Sequence, residues 1–334
     1  MNIYDIAGMA GVSIATVSRV VNGSDKVSEK TRQKVLDVIH DAGYTPNVFA
    51  QGLGLNTMHT IGILVPNIAD VYMAECVNFL EDQLHTYGYD CLLSCSGFDI
   101  EQKEAHVQLL LSKRIDALIL VGSTYAGSGE NSHETDYIRE AASQVPVFLI
   151  NGAVSGENIY CTVCDDRKAV YDVAMSLIRR GRKRILFLTD SHSYSAQQKM
   201  AGYEQALTES GLPVLGELRL HTKNRAHYVR DMLLQYTNLK YDAVIATDDG
   251  MAVGALKFAK IRGMNVPLDL EIVGYNNSSL SICCDPELTS VDNRTEQVCH
   301  DTVDRMLAVL RGERGIDAQL IIPCHLIKRS TTDF

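Results

Sequence analysis

The sequence predicts an α/β fold in which an N-terminal helix-turn-helix head precedes two doubly wound parallel-sheet subdomains. Short, capped helical patterns fill residues 1–46, and from residue 61 apolar, β-rich runs alternate with amphipathic stretches of helical length. Strands that are apolar throughout and alternate with helices are typical of parallel sheets covered on both faces. The alternation resumes after residue 165, which predicts two similar subdomains.

The head is predicted to contain three helices. Residues 3–10 form the first, which ends near Gly11. Ser13 is a suitable N-cap for the second helix, residues 14–21, and Ser28 is a suitable N-cap for the third. The apolar positions predicted for the helix cores are Val17, Val20 and Val21 in the second helix and Val35, Leu36, Val38 and Ile39 in the third.

A fourth, weaker helix is predicted from Val48 to about Leu53, with Asn47 as its N-cap. Gly52 and Gly54 each cost about 1 kcal/mol of helix stability relative to alanine. This hinge helix is therefore expected to order only when a partner holds it.

The strands predicted beyond the head are short and bounded by polar residues. They are Ile61–Val65, Cys91–Ser94, Ala117–Val121, Val147–Ile150, Ile185–Leu188, Ala243–Thr247 and Ile272–Tyr275. Helices are expected between them, for example at Ala74–Leu84 and Lys103–Leu111. Because ligands of doubly wound sheets bind at the carboxyl ends of the strands, a ligand crevice is expected there.

Composition limits the class of protein. The chain has 334 residues, of which 46% are hydrophobic and 22% are charged, as in an ordinary globular protein of two or three domains. No run approaches ~18 uninterrupted apolar residues, so no membrane span is predicted. Residues 1–5 lack the basic and apolar regions of a secretory signal. We therefore expect a cytoplasmic protein.

The net charge of -10 is unevenly distributed. Residues 1–60 carry equal numbers of basic and acidic side chains, so the head is neutral and the remainder is acidic. Any attraction of the head to nucleic-acid phosphates must therefore come from the local placement of charges, from helix N-termini and from two copies of the head.

The nine cysteines are an odd number scattered over a long chain, which indicates reduced thiols rather than a disulfide framework. The pairs Cys161 with Cys164 and Cys283 with Cys284 could suggest redox or metal chemistry. A zinc site needs a second pair of ligands at regular spacing, and none follows. Cys161 and Cys164 lie in an apolar, strand-like run, so both are predicted to be small buried residues. No metal and no cofactor is expected.

A long run of matches identifies the family that the head resembles. The run comprises Ile3-Tyr4-Asp5-Ile6-Ala7, Gly11-Val12-Ser13-Ile14-Ala15-Thr16-Val17-Ser18-Arg19-Val20-Val21-Asn22, Val27-Ser28-Glu29-Lys30-Thr31-Arg32 and Gly43-Tyr44-Thr45-Pro46-Asn47. It resembles the head of the LacI-family transcription regulators, and later matches such as Pro286-Glu287-Leu288-Thr289-Ser290-Val291 extend to the end of the chain. Residues 206–213 look like the carbon-catabolite-control branch. The resemblance implies a homodimer that binds operator DNA, with a periplasmic-binding-protein-like sensing domain.

The resemblance implies that the second helix lies in the major groove. Arg19 is the only long donor on its outer face and can bond guanine O6 and N7 together, which is worth ~1–3 kcal/mol of discrimination; the alternative is a surface ion pair. Ile14 and Ala15 can contact a thymine methyl. Thr16 and Ser18 could instead be solvated helix positions. The residues implied to contact phosphates are Ser13, Thr16, Ser18, Asn22 and Asn47.

Leu53 matches a hinge leucine that, in this family, wedges into the minor groove from both subunits. Such a wedge unstacks a base step and kinks the duplex; the alternative is that Leu53 packs on its own domain. The chain departs from the family pattern at Gln51, where arginine is frequent, and at Gly54. Folding of the hinge on DNA is therefore expected to be less favourable here.

The resemblance places four effector-binding residues at strand ends facing the cleft, namely Tyr72, Lys199, Asp248 and Asn276. The family's arginine is Lys199 here, its asparagine is Asp248 and its aspartate is Asn276. A lysine lacks the flat donor fork of arginine, and one carboxylate has moved from one strand end to another. These changes predict either an effector of altered chemistry within a carbohydrate-like class or a cleft without a ligand. The alternative is that the four residues are ordinary loop residues.

In the catabolite-control branch a phosphorylated phosphocarrier protein docks on the sensing domain. The corresponding residues 294–304 lack the expected aromatic and apolar contacts, and Asp304 stands where an arginine would face the phosphate. This co-regulator is therefore a poor match.

These observations divide the chain into a helix-turn-helix DNA-binding domain at 1–46, a hinge helix and linker at 47–59, and an effector-binding and dimerisation domain at 60–334. The chain is expected to cross between the two subdomains near residues 160 and 290. The expected function is that of a sequence-specific, ligand-controlled transcription regulator acting as a repressor.

Two other classes share parts of this pattern. A periplasmic solute-binding protein would need a signal peptide and no DNA-binding head. An α/β enzyme would be expected to show a motif such as Gly-x-Gly-x-x-Gly after a strand, Gly-x-Ser-x-Gly or His-Glu-x-x-His, and none occurs. The chain is therefore expected not to be an enzyme.

Overall fold

The computed structural model describes residues 1–21, 23–44, 57–128 and 132–334. The head contains three helices, α1 (Ile3–Ala10), α2 (Ile14–Val21) and α3 (Glu29–Asp41), which confirms their sequence-based prediction. The Asn2 side chain caps α1 by accepting from the backbone of Asp5, whose carboxylate accepts from the backbone of Asn2 in return. Gly11 ends α1 in the left-handed conformation, with φ of 59°.

The core of the head is small and apolar. Its fully buried members are Ile6, Ala7, Ala10, Val17, Val20 and Val35. Val21, Val38 and Ile39 are partly buried against them. Leu36, by contrast, is 42% exposed, so the prediction that it joins the core was wrong. Each residue advances about 100° around a helix, and Leu36 therefore turns away from the face that buries Val35.

The first subdomain is built on one parallel sheet. Its elements before the first crossing are β1 (Thr60–Val65), α4 (Val71–Thr86), β2 (Asp90–Cys95), α5 (Ile100–Ser112), β3 (Ala117–Val121), α6 (Asp136–Ala142), β4 (Val147–Ile150) and β5 (Ile159–Cys164). The strand order is β11-β5-β4-β3-β1-β2, where β11 (Gln319–Ile322) arrives from the end of the chain. All of its pairings are parallel, as the alternation of strands and helices predicts.

The second subdomain repeats this plan. Its elements are α7 (Asp166–Arg179), β6 (Ile185–Thr189), α8 (Tyr194–Glu209), β7 (Arg219–His221), α9 (Ala226–Gln235), β8 (Ala243–Ala246), α10 (Asp249–Arg262), β9 (Glu271–Tyr275), α11 (Ser279–Cys283) and β10 (Thr289–Asp292). The strand order is β12-β10-β9-β8-β6-β7. The exception to parallel pairing is β12 (His325–Ile327), which runs antiparallel to β10.

The chain passes between the subdomains three times. The passages lie between β5 and α7, between β10 and α12 (Thr295–Leu310), and between β11 and β12. Helix α12 packs on the first sheet, because Val298 and Val303 belong to its apolar cluster. The third passage was not predicted from the sequence. Three adjacent connections place the carboxyl ends of both sheets opposite one another.

Apolar clusters cover both faces of each sheet. Every residue of β3 and β4 is buried, whereas β2, at the edge of the first sheet, is mostly exposed. Cys161 and Cys164 are buried in β5, as predicted. Among the residues that the structure describes, no helix combines the length and apolar character that a membrane span requires.

Close packing of α7 against α8 positions the floor of the cleft between the subdomains. A Cβ added to Gly202 of α8 would lie 2.1 Å from the carbonyl oxygen of Arg167 in α7. Backbone cannot yield as a side-chain tip can, so the two helices would have to separate. Only glycine allows this approach.

We expect Gly202→Ala to lower the free energy of unfolding by about 2–3 kcal/mol, as overpacking does in cores. Gly216→Ala is the matched control, because the nearest atom to its new Cβ is a side-chain atom at 3.9 Å. Urea unfolding of both variants measures the difference. Equal stabilities for the two would contradict the assigned role of Gly202.

Candidate functional site

Helix α2 presents the face predicted to read DNA. Ser13 precedes it, and the Ser13 Oγ accepts from the Thr16 backbone N–H at 3.1 Å and lies 2.9 Å from the Thr16 Oγ1. These contacts satisfy a donor that the first turn of a helix would otherwise leave unpaired. The two hydroxyl groups thus fix the start of α2.

The outward face of α2 is open to solvent. Ile14, Ala15 and Arg19 are exposed, while Thr16 and Ser18 are half-buried. Within the described part of the chain, no carboxylate oxygen lies within 4.0 Å of the Arg19 guanidinium. Arg19 is therefore not held in the surface ion pair that the sequence left open. Its five donors are available to a base edge.

Three further predicted DNA contacts, Asn22, Asn47 and Leu53, lie outside the described residues. The same holds for Gly52 and Gly54 of the predicted hinge helix.

A cavity of about 290 Å³ lies between the carboxyl ends of the two sheets. All four effector residues predicted from the sequence line it, namely Tyr72, Lys199, Asp248 and Asn276. They come from α4, α8, the turn before α10 and the end of β9, which are far apart in sequence. The topology therefore brings together residues that the sequence could only place at separate strand ends. The volume is near the lower end of the range for small-molecule pockets.

Lys199 places its ammonium group at the floor of the cavity. Its side chain is 5% exposed, its Nζ lies 3.6 Å from the centroid of the Tyr275 ring, and it donates to the Thr247 carbonyl oxygen at 3.3 Å. Beneath it lies the buried carboxylate of Asp166, which accepts from the Ser195 and Tyr275 hydroxyls at 2.5 Å each. Burial raises the pKa of Asp166, while the Lys199 charge opposes this rise.

Asp248 and Asn276 are bonded to each other. The Asn276 Nδ2 donates to the Asp248 Oδ2 at 2.8 Å, and the Asp248 Oδ1 accepts from the Gly250 backbone at 2.7 Å. The Asn293 Nδ2 donates in turn to the Asn276 Oδ1 at 3.0 Å. Asn293 lies in the second connection between the subdomains, so this polar chain joins the cavity to a connecting segment.

Tyr72 contributes to the cavity mainly as a wall. It is 7% exposed and packs in the same apolar cluster as Cys76, Leu80 and Cys299. Burial raises the pKa of its hydroxyl well above the ordinary value. The hydroxyl is thus neutral.

Several cavity residues were missed from the sequence. Asp70 caps α4, Asp190 directly follows β6, and Phe98 follows β2, where its ring is 65% exposed. Asn151 and Asn224 also line the cavity. The position of Asp190 directly after a parallel strand was the signal that could have found it.

The two walls of the cleft touch. The Ser123 Oγ, on the first subdomain, donates to the Ser193 Oγ, on the second, at 2.9 Å. The Gln197 amide donates to the Ser128 carbonyl oxygen across the same gap. These two hydrogen bonds join the subdomains directly across the cleft.

Comparison with known proteins agrees with both parts of the chain. Residues 2–47 match a family model described as bacterial regulatory proteins, lacI family. Residues 174–332 match a periplasmic binding protein-like domain.

Relatives match the full length. An HTH-type transcriptional regulator from Lachnoclostridium phytofermentans is 49% identical over 336 residues, which cover 100% of both chains. Catabolite control protein A from Priestia megaterium is 37% identical over 98% of each chain. Among solved structures, the lac repressor dimer bound to operator and the anti-inducer ONPF has a TM-score of 0.88 at 26% identity over 99% of each chain. The CelR–cellobiose complex has a TM-score of 0.71 at 24% identity over 99% of each chain.

Three observations indicate the same class of protein. They are the full-length match to a transcriptional regulator, the capped head with an exposed face on α2, and the cavity between two parallel sheets. The chain belongs to the lacI family of bacterial regulatory proteins and is a DNA-binding transcription regulator rather than an enzyme.

Proposed function

We propose that this regulator acts in the cytoplasm as a homodimeric repressor whose operator affinity is set by a small polar effector in the cavity. The observation that carries the proposal is the convergence of Tyr72, Lys199, Asp248 and Asn276 on one cavity between the subdomains. Residues 1–46 form the DNA-binding domain, 47–59 the hinge and linker, and 60–334 the sensing and dimerisation domain.

DNA reading falls to the outward face of α2. Arg19 bonds a guanine edge, and the Ile14 and Ala15 side chains contact thymine methyls. Ser13, Thr16, Ser18, Asn22 and Asn47 contact phosphates. Leu53 wedges into the central minor-groove step from each subunit.

Dimerisation has support from the exposed edge of the first subdomain. Leu92 and Leu93 on β2 and Leu109 on α5 are 36%, 46% and 49% exposed. Successive residues of a strand point to opposite faces of the sheet, so one of Leu92 and Leu93 lies on the face that the helix with Leu109 covers. Exposed apolar side chains on an edge strand and on the helix beside it are typical of a protein interface. The solved lac repressor is a dimer on its operator. A neutral head is too small to specify a site alone, so two copies are needed.

The effector is proposed to be carbohydrate-like, in the sense of a polar molecule rich in hydroxyl groups. Carboxylate and amide side chains line much of the cavity, and these groups accept from and donate to hydroxyls. The CelR structure contains cellobiose and has the same fold.

A phosphocarrier co-regulator is not part of this proposal. The surface that would receive it has a second cavity of about 490 Å³, and Arg294 is the only Lys or Arg among the described residues that line it. Its carboxylates are Glu75, Asp292, Glu296, Asp301 and Asp304. The approach of a phosphoryl group to this surface would be repelled.

Two measurements on the full chain test the proposal. We expect sedimentation to give a dimer, and selection from a random duplex pool to enrich a two-fold symmetric sequence. Footprinting should then protect two half-sites about one helical turn or a multiple apart. A monomer that protects one asymmetric half-site would contradict the homodimer.

A further inference from the structure

The cavity that we propose for the effector has an excess of carboxylates. Asp70, Asp190 and Asp248 line it, and Lys199 is the only Lys or Arg among the described lining residues. The Lys199 ammonium is already occupied, because it stacks on Tyr275 and lies above the buried carboxylate of Asp166. The cavity therefore presents negative charge that its own lining does not neutralise.

Two further basic side chains, Arg225 and His221, lie near the cavity but outside its lining. Arg225 favours the ionised form of Asp70, and His221 and Lys199 favour that of Asp190. Desolvation is nevertheless the larger effect at both carboxylates and raises both pKa values. Burial likewise raises the pKa of Asp248 to about 7, and the charges of Asp70, Asp249 and Asp190 add to the rise. The negative charge of the ionised carboxylates in this cavity is therefore not fully balanced by nearby positive charges.

The spacing of these carboxylates argues against a metal ion. Within the described ranges, the only set of three metal-ligating side chains whose ligand atoms lie within 4.8 Å of one another is Cys164, Asp166 and Cys324. Asp70, Asp190 and Asp248 do not form such a set. Their ligand atoms do not converge on one point in this structure, whereas an organic molecule that extends through the cavity can contact all three carboxylates.

An exposed aromatic ring is a second, independent feature of the same cavity. Phe98 lines it and remains 65% exposed, although a ring of this size normally packs against protein. The face of an aromatic ring attracts an organic cation. The amides of Asn151 and Asn224 line the same space and can bond hydroxyl groups.

We propose that the effector of this regulator carries at least one ammonium group beside its hydroxyls, as an amino sugar or an aminopolyol does, and that Asp190, Asp248 and Phe98 select it. This inference rests on the proposed effector cavity. A neutral sugar carries no positive charge that could balance these carboxylates.

The test uses matched pairs of amine and neutral ligands on the full-length dimer. Aminosorbitol is compared with sorbitol, glucosamine with glucose, and putrescine with butanediol, by calorimetric titration and thermal shift. We expect at least one amine to bind about tenfold or more tightly than its neutral counterpart, which corresponds to ~1.4 kcal/mol. Putrescine, which has no hydroxyls, separates charge from hydroxyl recognition.

Variants assign the binding to the cavity. Asp190→Asn should weaken the amine about tenfold, and Phe98→Leu severalfold, and neither variant should unfold the protein because neither side chain belongs to an apolar core cluster. Glu157→Gln is the matched control: it removes one exposed carboxylate just before β5, at the amino end of that strand and away from the carboxyl ends that line the cavity. We expect the control to bind as the parent does.

The pH dependence of ligand affinity is an independent test. An ammonium ligand favours ionised Asp248, and protons compete with it below the pKa of that carboxyl. Affinity for aminosorbitol should therefore fall as the pH is lowered through about 7. Asp70, Asp190, Asp249 and Lys199 lie close to this centre, and Arg225 and His221 lie beyond the lining. The three carboxylates strengthen the effect.

The two ways to fail are distinguishable. If a neutral ligand binds in the cavity as tightly as its amine, and Asp190→Asn has no effect, the charge selectivity is overturned while the effector cavity stands. If neither the amines nor their neutral counterparts bind, the charge selectivity is overturned together with the carbohydrate-like effector on which it rests.

Discussion

Replacing Arg19 with alanine is expected to abolish discrimination between operator and random DNA while leaving salt-dependent binding to both. Arg19 is the only long donor on the outer face of α2, and no carboxylate of the described residues holds it. One bidentate guanine contact is worth ~1–3 kcal/mol. Two copies in the dimer should therefore cost roughly 2–6 kcal/mol of operator affinity, or about thirtyfold at the least.

The control variant removes a positive charge from a residue that is not expected to contact a base. Lys30→Ala takes one exposed charge from α3, so any effect should be equal on operator and on random duplexes. Fluorescence anisotropy over a salt series measures both variants. If Arg19→Ala weakens operator and random DNA equally, Arg19 is a phosphate contact and the assignment of base reading is wrong.

Removing the cavity ammonium is expected to have the second large effect. Lys199→Met keeps the length of the side chain but leaves the Asp166 carboxylate buried without its cation. Among the described residues Lys199 and Asp166 form no direct salt bridge, so we expect a loss of about 2–3 kcal/mol at neutral pH, below the ~3–5 kcal/mol of a directly bonded buried pair. Urea unfolding gives the value.

The pH dependence identifies the cause of this loss. Burial raises the pKa of Asp166 in the folded protein, and without Lys199 the pKa should rise further. A carboxyl with a raised folded pKa contributes most stability at low pH and loses it as the pH rises through that pKa. The deficit of Lys199→Met should therefore grow as the pH rises.

A double variant completes the cycle. Lys199→Met with Asp166→Asn should recover most of the stability, because an amide can exchange hydrogen bonds with the hydroxyls of Ser195 and Tyr275 without a buried charge. If the double variant is no more stable than Lys199→Met, charge compensation does not explain the placement of Lys199.

Much of the fold could be predicted from the sequence, because its strands are short apolar runs that alternate with helices. Strands β3 and β4 are buried along their whole length and were predicted with their observed bounds. The caps of the head were equally predictable, since Ser13 and Ser28 are typical N-cap residues and stand directly before the second and third helices.

Other elements depend on contacts that local sequence does not encode. Strand β12 has only three residues and forms through antiparallel pairing with β10, so no local pattern indicates it. Leu36 follows a buried valine and looks like a core residue until the helix register places it outside. Strands of this length become visible only when their partners are known.

The cavity was half predictable for the same reason. The resemblance gave Tyr72, Lys199, Asp248 and Asn276, and all four line one cavity. The sequence did not show that Asp248 and Asn276 bond each other at 2.8 Å, or that Phe98 remains exposed at the same cavity. The hydrogen bond follows from the pairing of β8 with β9, which brings the residues after these two strands together, and the exposure of Phe98 depends on tertiary packing.

The central claim is that ligand binding in the cavity and operator binding by the head are coupled. The most direct test measures operator affinity at rising concentrations of the ligand that stabilises the cavity, and ligand affinity with and without operator. We predict that both affinities change by one common factor, of the order of 5–150-fold. A ligand that saturates the cavity and leaves operator affinity unchanged would contradict the account.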